Sequence, residues 1–176
     1  MTREKAIVVS DGSLESAALI AVAKARCEVV LLDATAGFDA DAREAADQQA
    51  QWARCDRRPV EGTVATQSRD GMTFLTSLLA AVATAAREEE ASVVYLPLRI
   101  GLESPTFPRA AEWVQVAEEL LVHGLDLQGL TLLAPLLELE LWQVVDLAGH
   151  VDAPLHPSHV ERNREAFTQV DMPKAA

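Results

Sequence analysis

Short apolar runs alternate with helical patterns along the whole chain, and this alternation constrains the fold more than any other feature. "KAIVV" (5–9), "EVVLLDA" (28–34), "RPVEGTV" (58–64), "SVVYLPL" (92–98, ended by Pro97) and "LTLLAPL" (130–136) read as five strands. They are continuous apolar runs rather than strict alternations, as expected of strands covered on both faces. Between them, apolar residues recur at three- and four-residue spacing over 14–25, 39–54, 73–90, 108–124 and 138–150. A last short helix is expected over 160–170, followed by a frayed tail at 171–176. Local signals support these bounds: Asp39 stands where an N-cap belongs, and Pro108 and Gly124 bracket the fourth helix. Strand–helix repetition of this kind predicts an α/β fold, a doubly wound five-stranded mostly parallel sheet with helices on both faces, in one domain spanning 1–176. Ligands of such sheets bind beyond the carboxyl ends of the strands at the topological switch point.

Charge narrows the function. Acids outnumber bases 27 to 15, a formal net charge of −12, which repels nucleic acid at long range and gives solubility. No apolar run approaches the roughly 18 residues of a membrane span, and the four apolar residues of 6–9 are too few for a secretory leader. The expectation is a soluble cytoplasmic protein with neither a nucleic-acid nor a membrane partner. Cys27 and Cys55 form no CxxC pair; Cys27 reads as a small core residue.

The loop after the first strand is where the chemistry is sought. "SDGSLES" (10–16) joins an apolar strand to a helix, the arrangement whose free N–H groups bind phosphate. It has one glycine, no lysine and two acids, so it is neither a Walker loop nor a GxGxxG turn. Read alone, it is a capped helix start, with Gly12 or Ser13 as cap and Glu15 in the first turn.

Five segments in order alter that reading. "VVSDGSLESAALIAVAKARCEVVLLDATAG", "DGMTFLTSLLAAVATAA", "GLESPTFPRAAEWVQVAEELL", "LLAPLLELELWQVVDLA" and "PLHPSHVERNREAFTQVDMP" together resemble the PP-loop ATP pyrophosphatases, and within them the 7-cyano-7-deazaguanine synthase (QueC, ExsB-like) family. The resemblance implies a Rossmann-like, adenine nucleotide alpha hydrolase-like sheet. It also implies ATP and Mg²⁺ as cofactors for adenylating a carboxylate in queuosine-type chemistry, and association into a homodimer. It places Asp11, Gly12, Ser13, Leu14, Glu15 and Ser16 on the six loop positions SGGxDS. With Ser10 and with Asp33 at the end of the second strand, Asp11, Gly12, Ser13, Glu15 and Ser16 form the candidate nucleotide site. Arg99, Glu103 and Arg109 form the candidate site for a nucleotide or base-like small molecule. Each has a structural alternative: Asp33 caps a turn, and the arginines balance neighbouring acids.

The departures from the family fall on its chemistry. Only Gly12 and Ser16 match the loop outright. Pro97 and Leu98 replace a Thr-Gly pair, and Leu141 replaces a lysine. His159 stands where the first of four zinc cysteines belongs, so zinc is not expected. His150, His156 and His159 read as surface loop residues with no metal-ligand spacing, and Trp113 and Trp142 as core. An Asp11 carboxylate about 4 Å from a phosphate oxygen opposes binding by about 1 kcal/mol in water and about 4 at an effective dielectric near 20, unless a cation intervenes. No catalytic residue is assigned. The readings that follow are a catalytically reduced relative that binds or interacts, an active ATP-dependent ligase with an altered loop, and a nucleoside-monophosphate binder contacting only the helix start at Ser13–Ser16.

Overall fold

The computed structural model describes residues 3–36, 38–60 and 71–168. Expectations for 61–64, 169–170 and the tail 171–176 lie outside the described residues. Five strands form one sheet in the order β3-β2-β1-β4-β5, every pairing parallel. They are β1 (Lys5–Ser10), β2 (Glu28–Asp33), β3 (Asp56–Pro59), β4 (Val93–Tyr95) and β5 (Thr131–Leu133). The helices are α1 (Leu14–Lys24), α2 (Ala40–Ala53), α3 (Gly71–Glu88), α4 (Phe107–Glu119), α5 (Leu141–His150), α6 (Pro157–Arg162) and α7 (Arg164–Thr168).

Why the strands lack polar alternation is visible in the two cores. Ile7, Val9, Val30, Leu32, Val94 and Leu132 face a core shared with α3 and with Ala117 of α4. Ala6, Val8, Val29, Leu31, Val93 and Tyr95 face the opposite core, shared with α1, α5 and Ala166 of α7. The period-2 alternation of side chains sends each half of an apolar run to a different apolar layer. Cys27 is buried in the second core, as expected.

Boundaries shift where tertiary pairing outweighs local composition. β3 begins at Asp56, two residues before the expected start, because Asp56–Pro59 pairs with Val30–Asp33 at the sheet edge. An edge strand tolerates polar residues, and Arg57 and Arg58 find carboxylates at Asp33, Asp47, Glu88 and Glu89. The fourth helix is α-helical only to Glu119; Leu120–Gly124 is a π-helical turn in which the Leu125 N–H donates to the Leu120 carbonyl. The helix expected over 138–150 starts at Leu141, where Glu140 and Gln143 form a capping box. The single helix expected over 160–170 is two short ones, the first opened by Pro157 and closed at Asn163. Asp39 caps α2, its carboxylate accepting from the Ala42 N–H at 2.8 Å.

Trp142 is the one tryptophan placed wrongly by sequence. It is 45% exposed on α5, whereas Trp113 packs half-buried against the first core. α5 buries Val144, Val145 and Ala148, and Trp142 falls outside that stripe. Among the described residues no helix is long and apolar enough to cross a membrane.

Candidate functional site

The chain leaves β1 to build β2 and β3 on one side, then returns to place β4 and β5 on the other. The switch point therefore lies between β1 and β4, and the 10–16 turn stands at its carboxyl end. Position and element type agree with the sequence expectation.

Inside the turn, the donors that would meet an anion meet Asp11. Its Oδ1 accepts from the Ser13 N–H at 3.0 Å and from the Ser16 hydroxyl at 2.6 Å. The Ser16 Oγ accepts in turn from the Asp11 N–H at 3.2 Å. Ser13 is the N-cap of α1, its Oγ accepting from the Ser16 N–H at 3.1 Å. Charge-assisted bonds of this kind are short and comparatively strong. Asp11 thus supplies internally the negative charge that a helix N-terminus favours.

Other elements brace the turn from outside. Gln49 of α2, 1% exposed, donates from Nε2 to the Ser13 carbonyl at 2.9 Å, while its Oε1 accepts from the Ser10 hydroxyl at 3.1 Å. Gly12 has φ +75°, and a Cβ there would run into the Ala42 carbonyl of α2, so this position requires glycine. From α6, His159 reaches the Gly12 carbonyl with Nε2 at 2.7 Å. The expectation of surface histidines fails here. His159 is 4% exposed and His156 partly buried; only His150 is exposed, on α5 beside Asp146. His159 folds inward because α6 packs back over a loop 147 positions away, a relationship absent from local sequence. Burial depresses its pKa below the ordinary 6.5, with His156 and Arg162 acting in the same direction and the Gly12 carbonyl and Glu15 opposing.

Neither Gln49 nor His159 was singled out as a site residue by the sequence. A signal existed for Gln49: it continues the stripe Ala42, Ala45, Ala46, Gln49, Ala53 that α2 buries, the only strongly polar member of an alanine face. No comparable signal exists for His159.

The remaining four candidates lie in four different settings. Arg99, beyond β4, pairs across the crevice with Glu15 of α1, Nε to Oε1 at 2.6 Å, so it balances an acid. Asp33 accepts at Oδ1 from the Thr35 N–H and hydroxyl at 2.9 and 2.6 Å, and pairs with Arg57 at 2.8 Å. It caps its turn, as the alternative reading had it. Glu103 lines a different cavity of about 690 Å³, formed by 100–104 and 138–143 with Glu138 and Glu140. Arg109 is exposed on the first turn of α4. The structure thus brings together Ser10 to Ser16 with Arg99, sets Asp33 beside Ser10 at the end of the neighbouring strand, and places Glu103 on a different cavity and Arg109 exposed on α4.

No protein-family model matches the sequence, and no curated protein matches it. The fold, however, is similar to that of the U34-tRNA thiolase NcsA from Methanococcus maripaludis, solved with its [4Fe-4S] cluster, at a TM-score of 0.63 and 11% identity. The two share a fold. The likeness covers 96% of this chain and 66% of the thiolase chain, so this chain spans just under two thirds of the thiolase's length. It shows the shared fold and reaches no further, because 11% identity carries no site chemistry.

Fit to the groups that such a fold suggests can be judged from the side chains. The chain has two cysteines, and Cys27 is sealed in the core on the α1 face. Among the described residues no group of three or more His, Cys, Asp or Glu side chains is arranged to hold a metal ion. For a polyphosphate the fit is poor: the Ser13 N–H and Ser16 hydroxyl already serve Asp11, and Arg99 already serves Glu15.

Proposed function

We propose that this chain is a catalytically reduced relative of the PP-loop ATP pyrophosphatases, similar to 7-cyano-7-deazaguanine synthase, that works as a binding or interaction protein. One observation carries the reading: the Asp11 carboxylate takes the turn's own donors, Ser13 N–H at 3.0 Å and Ser16 O–H at 2.6 Å. To enter, a phosphate would have to displace a fixed negative charge and recover both bonds. Coulomb repulsion alone, about 1 to 4 kcal/mol at 4 Å, weakens binding by roughly fivefold to several hundredfold. The Arg99–Glu15 pair supports the same reading, since Arg99 is already engaged by a carboxylate. The net charge of −12 speaks against a nucleic-acid partner, and self-association into a homodimer belongs to the proposal through the family resemblance.

A second reading is favoured by what survives. The left-handed Gly12 and the hydroxyl of Ser16 remain at the β1/β4 switch point. On that reading the chain is an ATP-dependent carbon–nitrogen ligase acting on a carboxylated base, with Mg²⁺ reversing the effect of Asp11. Isothermal titration with ATP, AMP and Mg²⁺, paired with a pyrophosphate-release assay, separates the two. The first reading expects no binding at millimolar nucleotide and no release. Micromolar binding with pyrophosphate release would replace it with the second.

A further inference from the structure

A hydrogen bond from α6 to the 10–16 turn comes from an imidazole whose other ring nitrogen is also committed. The His156 N–H donates to His159 Nδ1 at 3.3 Å, so Nδ1 is an acceptor and bears no proton. The proton therefore sits on Nε2, where it is donated to the Gly12 carbonyl at 2.7 Å. Neither partner can be exchanged, since a backbone N–H only donates and a backbone carbonyl only accepts. The same nitrogen closes the start of α6, because the His156–His159 bond is one half of its capping box. The His156 side chain caps the same helix start, its Nδ1 accepting from the Ser158 N–H at 3.3 Å.

We propose that His159 is a proton-sensitive clasp, holding α6 on the 10–16 turn when neutral and releasing it when doubly protonated. A second proton would go to Nδ1 and point at the His156 N–H, setting donor against donor in a site that is 4% exposed. The bond to Gly12 survives protonation, but the cap does not, and a buried cation replaces a buried neutral ring.

The charges around the ring are disposed as follows. Glu15 of α1 favours the cation but is itself paired with Arg99. Asp11, in the turn, is bonded to Ser13 and Ser16. From α2, Glu44 approaches His156 Nε2 at 4.0 Å, and Asp39 and Asp41 hold Arg162 at 3.1 and 3.6 Å. His156 and Arg162, on the clasp itself, disfavour the cation. Glu161 of α6 and Arg164 and Glu165 of α7 are exposed, and on α5 His150 pairs with Asp146. Burial is the largest influence on the ring and acts against the cation. The inference is independent of whether the turn binds nucleotide.

Hydrogen exchange of the full chain between pH 7.5 and 5.5, corrected for intrinsic exchange, tests it alongside NMR titration of the histidine rings. Protection of the α6 amides is expected to fall by about tenfold across that range, beginning near pH 6.5 and levelling off where the His159 ring titrates in the folded protein. His159→Gln keeps a donor for Gly12 without titrating, and is expected to flatten the response. His156→Asn, whose amide oxygen replaces Nδ1 as the cap, is expected to retain it. A flat wild-type profile, or a response that follows His156 instead, would overturn the clasp. Should His159→Gln fail to fold, the wild-type comparison still decides: α6 protection that does not fall between pH 6.5 and the His159 ring titration overturns it.

Discussion

Asp11 and Ser16 are joined twice, hydroxyl to carboxylate at 2.6 Å and backbone N–H to hydroxyl at 3.2 Å, so the turn after β1 closes on itself. That closure sets what a substitution at Asp11 does. Asp11→Ser removes the negative charge and frees the Ser13 N–H. It is expected to lower stability by about 1–2 kcal/mol, for lost charge-assisted bonds, and to raise affinity for inorganic phosphate or pyrophosphate by about tenfold or more. Thermal shift and calorimetric titration of the two proteins check both signs. An unchanged anion affinity would remove the case for a self-occupied turn.

Gly12→Ala combines a left-handed backbone with a collision against the Ala42 carbonyl. The expected loss is about 2–5 kcal/mol, the backbone cost of about 1–2 plus overpacking of about 1–3. Urea denaturation with an unchanged m-value measures it. A loss below 0.5 kcal/mol, on the order of a surface substitution, would show that α2 gives way.

Gln49→Leu keeps the volume and removes both bonds that tie α2 to the turn, leaving the Ser10 hydroxyl without its partner. A loss of about 1–3 kcal/mol is expected for the unsatisfied buried group. The Ser13 carbonyl keeps its bond from the Ala17 N–H, which holds the cost toward the lower end.

Stability also carries a pH signature. The folded pKa of His159 lies below its unfolded value of 6.5, so its contribution is fully present above 6.5 and is lost as pH falls from there toward the folded value. Urea midpoints measured from pH 7.5 to 5.5 are expected to fall more steeply for wild type than for His159→Gln.

The two thiols are expected to be slow. Burial raises the pKa of both Cys27 and Cys55, and Cys27 is 4% exposed. An aromatic disulfide reagent at pH 8 is expected to modify Cys55 slowly in the native protein, and Cys27 only after unfolding. Fast modification of both would contradict the packing of Cys27 against the α1 face.

How far the sequence reaches depends on whether a residue's neighbour is near in the chain. Asp39 was legible as a cap because its partner, Ala42, is three residues away. The caps at Ser13 and Asp33 were legible for the same reason. Asp56 and Arg57 were not legible as strand, because their reason to be extended is β2 beside them. Trp142 was misjudged because α5 takes its buried stripe from the layer it meets, not from its apolar content.

The amino-acid sequence determined the layers: apolar runs long enough for a strand, alternating with helical stripes, leave a parallel sheet covered on both sides as the arrangement that buries them all. It also fixed the place of the turn at residues 10–16 and its excess of acid. Tertiary structure alone decided what the turn touches. Gln49 and Ala42 of α2, Arg99 beyond β4 and His159 of α6 converge on it from three separate segments, the last across 147 positions. Local propensity encodes only the backbone of each segment. Which polar groups end up buried together depends on how the finished layers close, where every buried donor must find an acceptor.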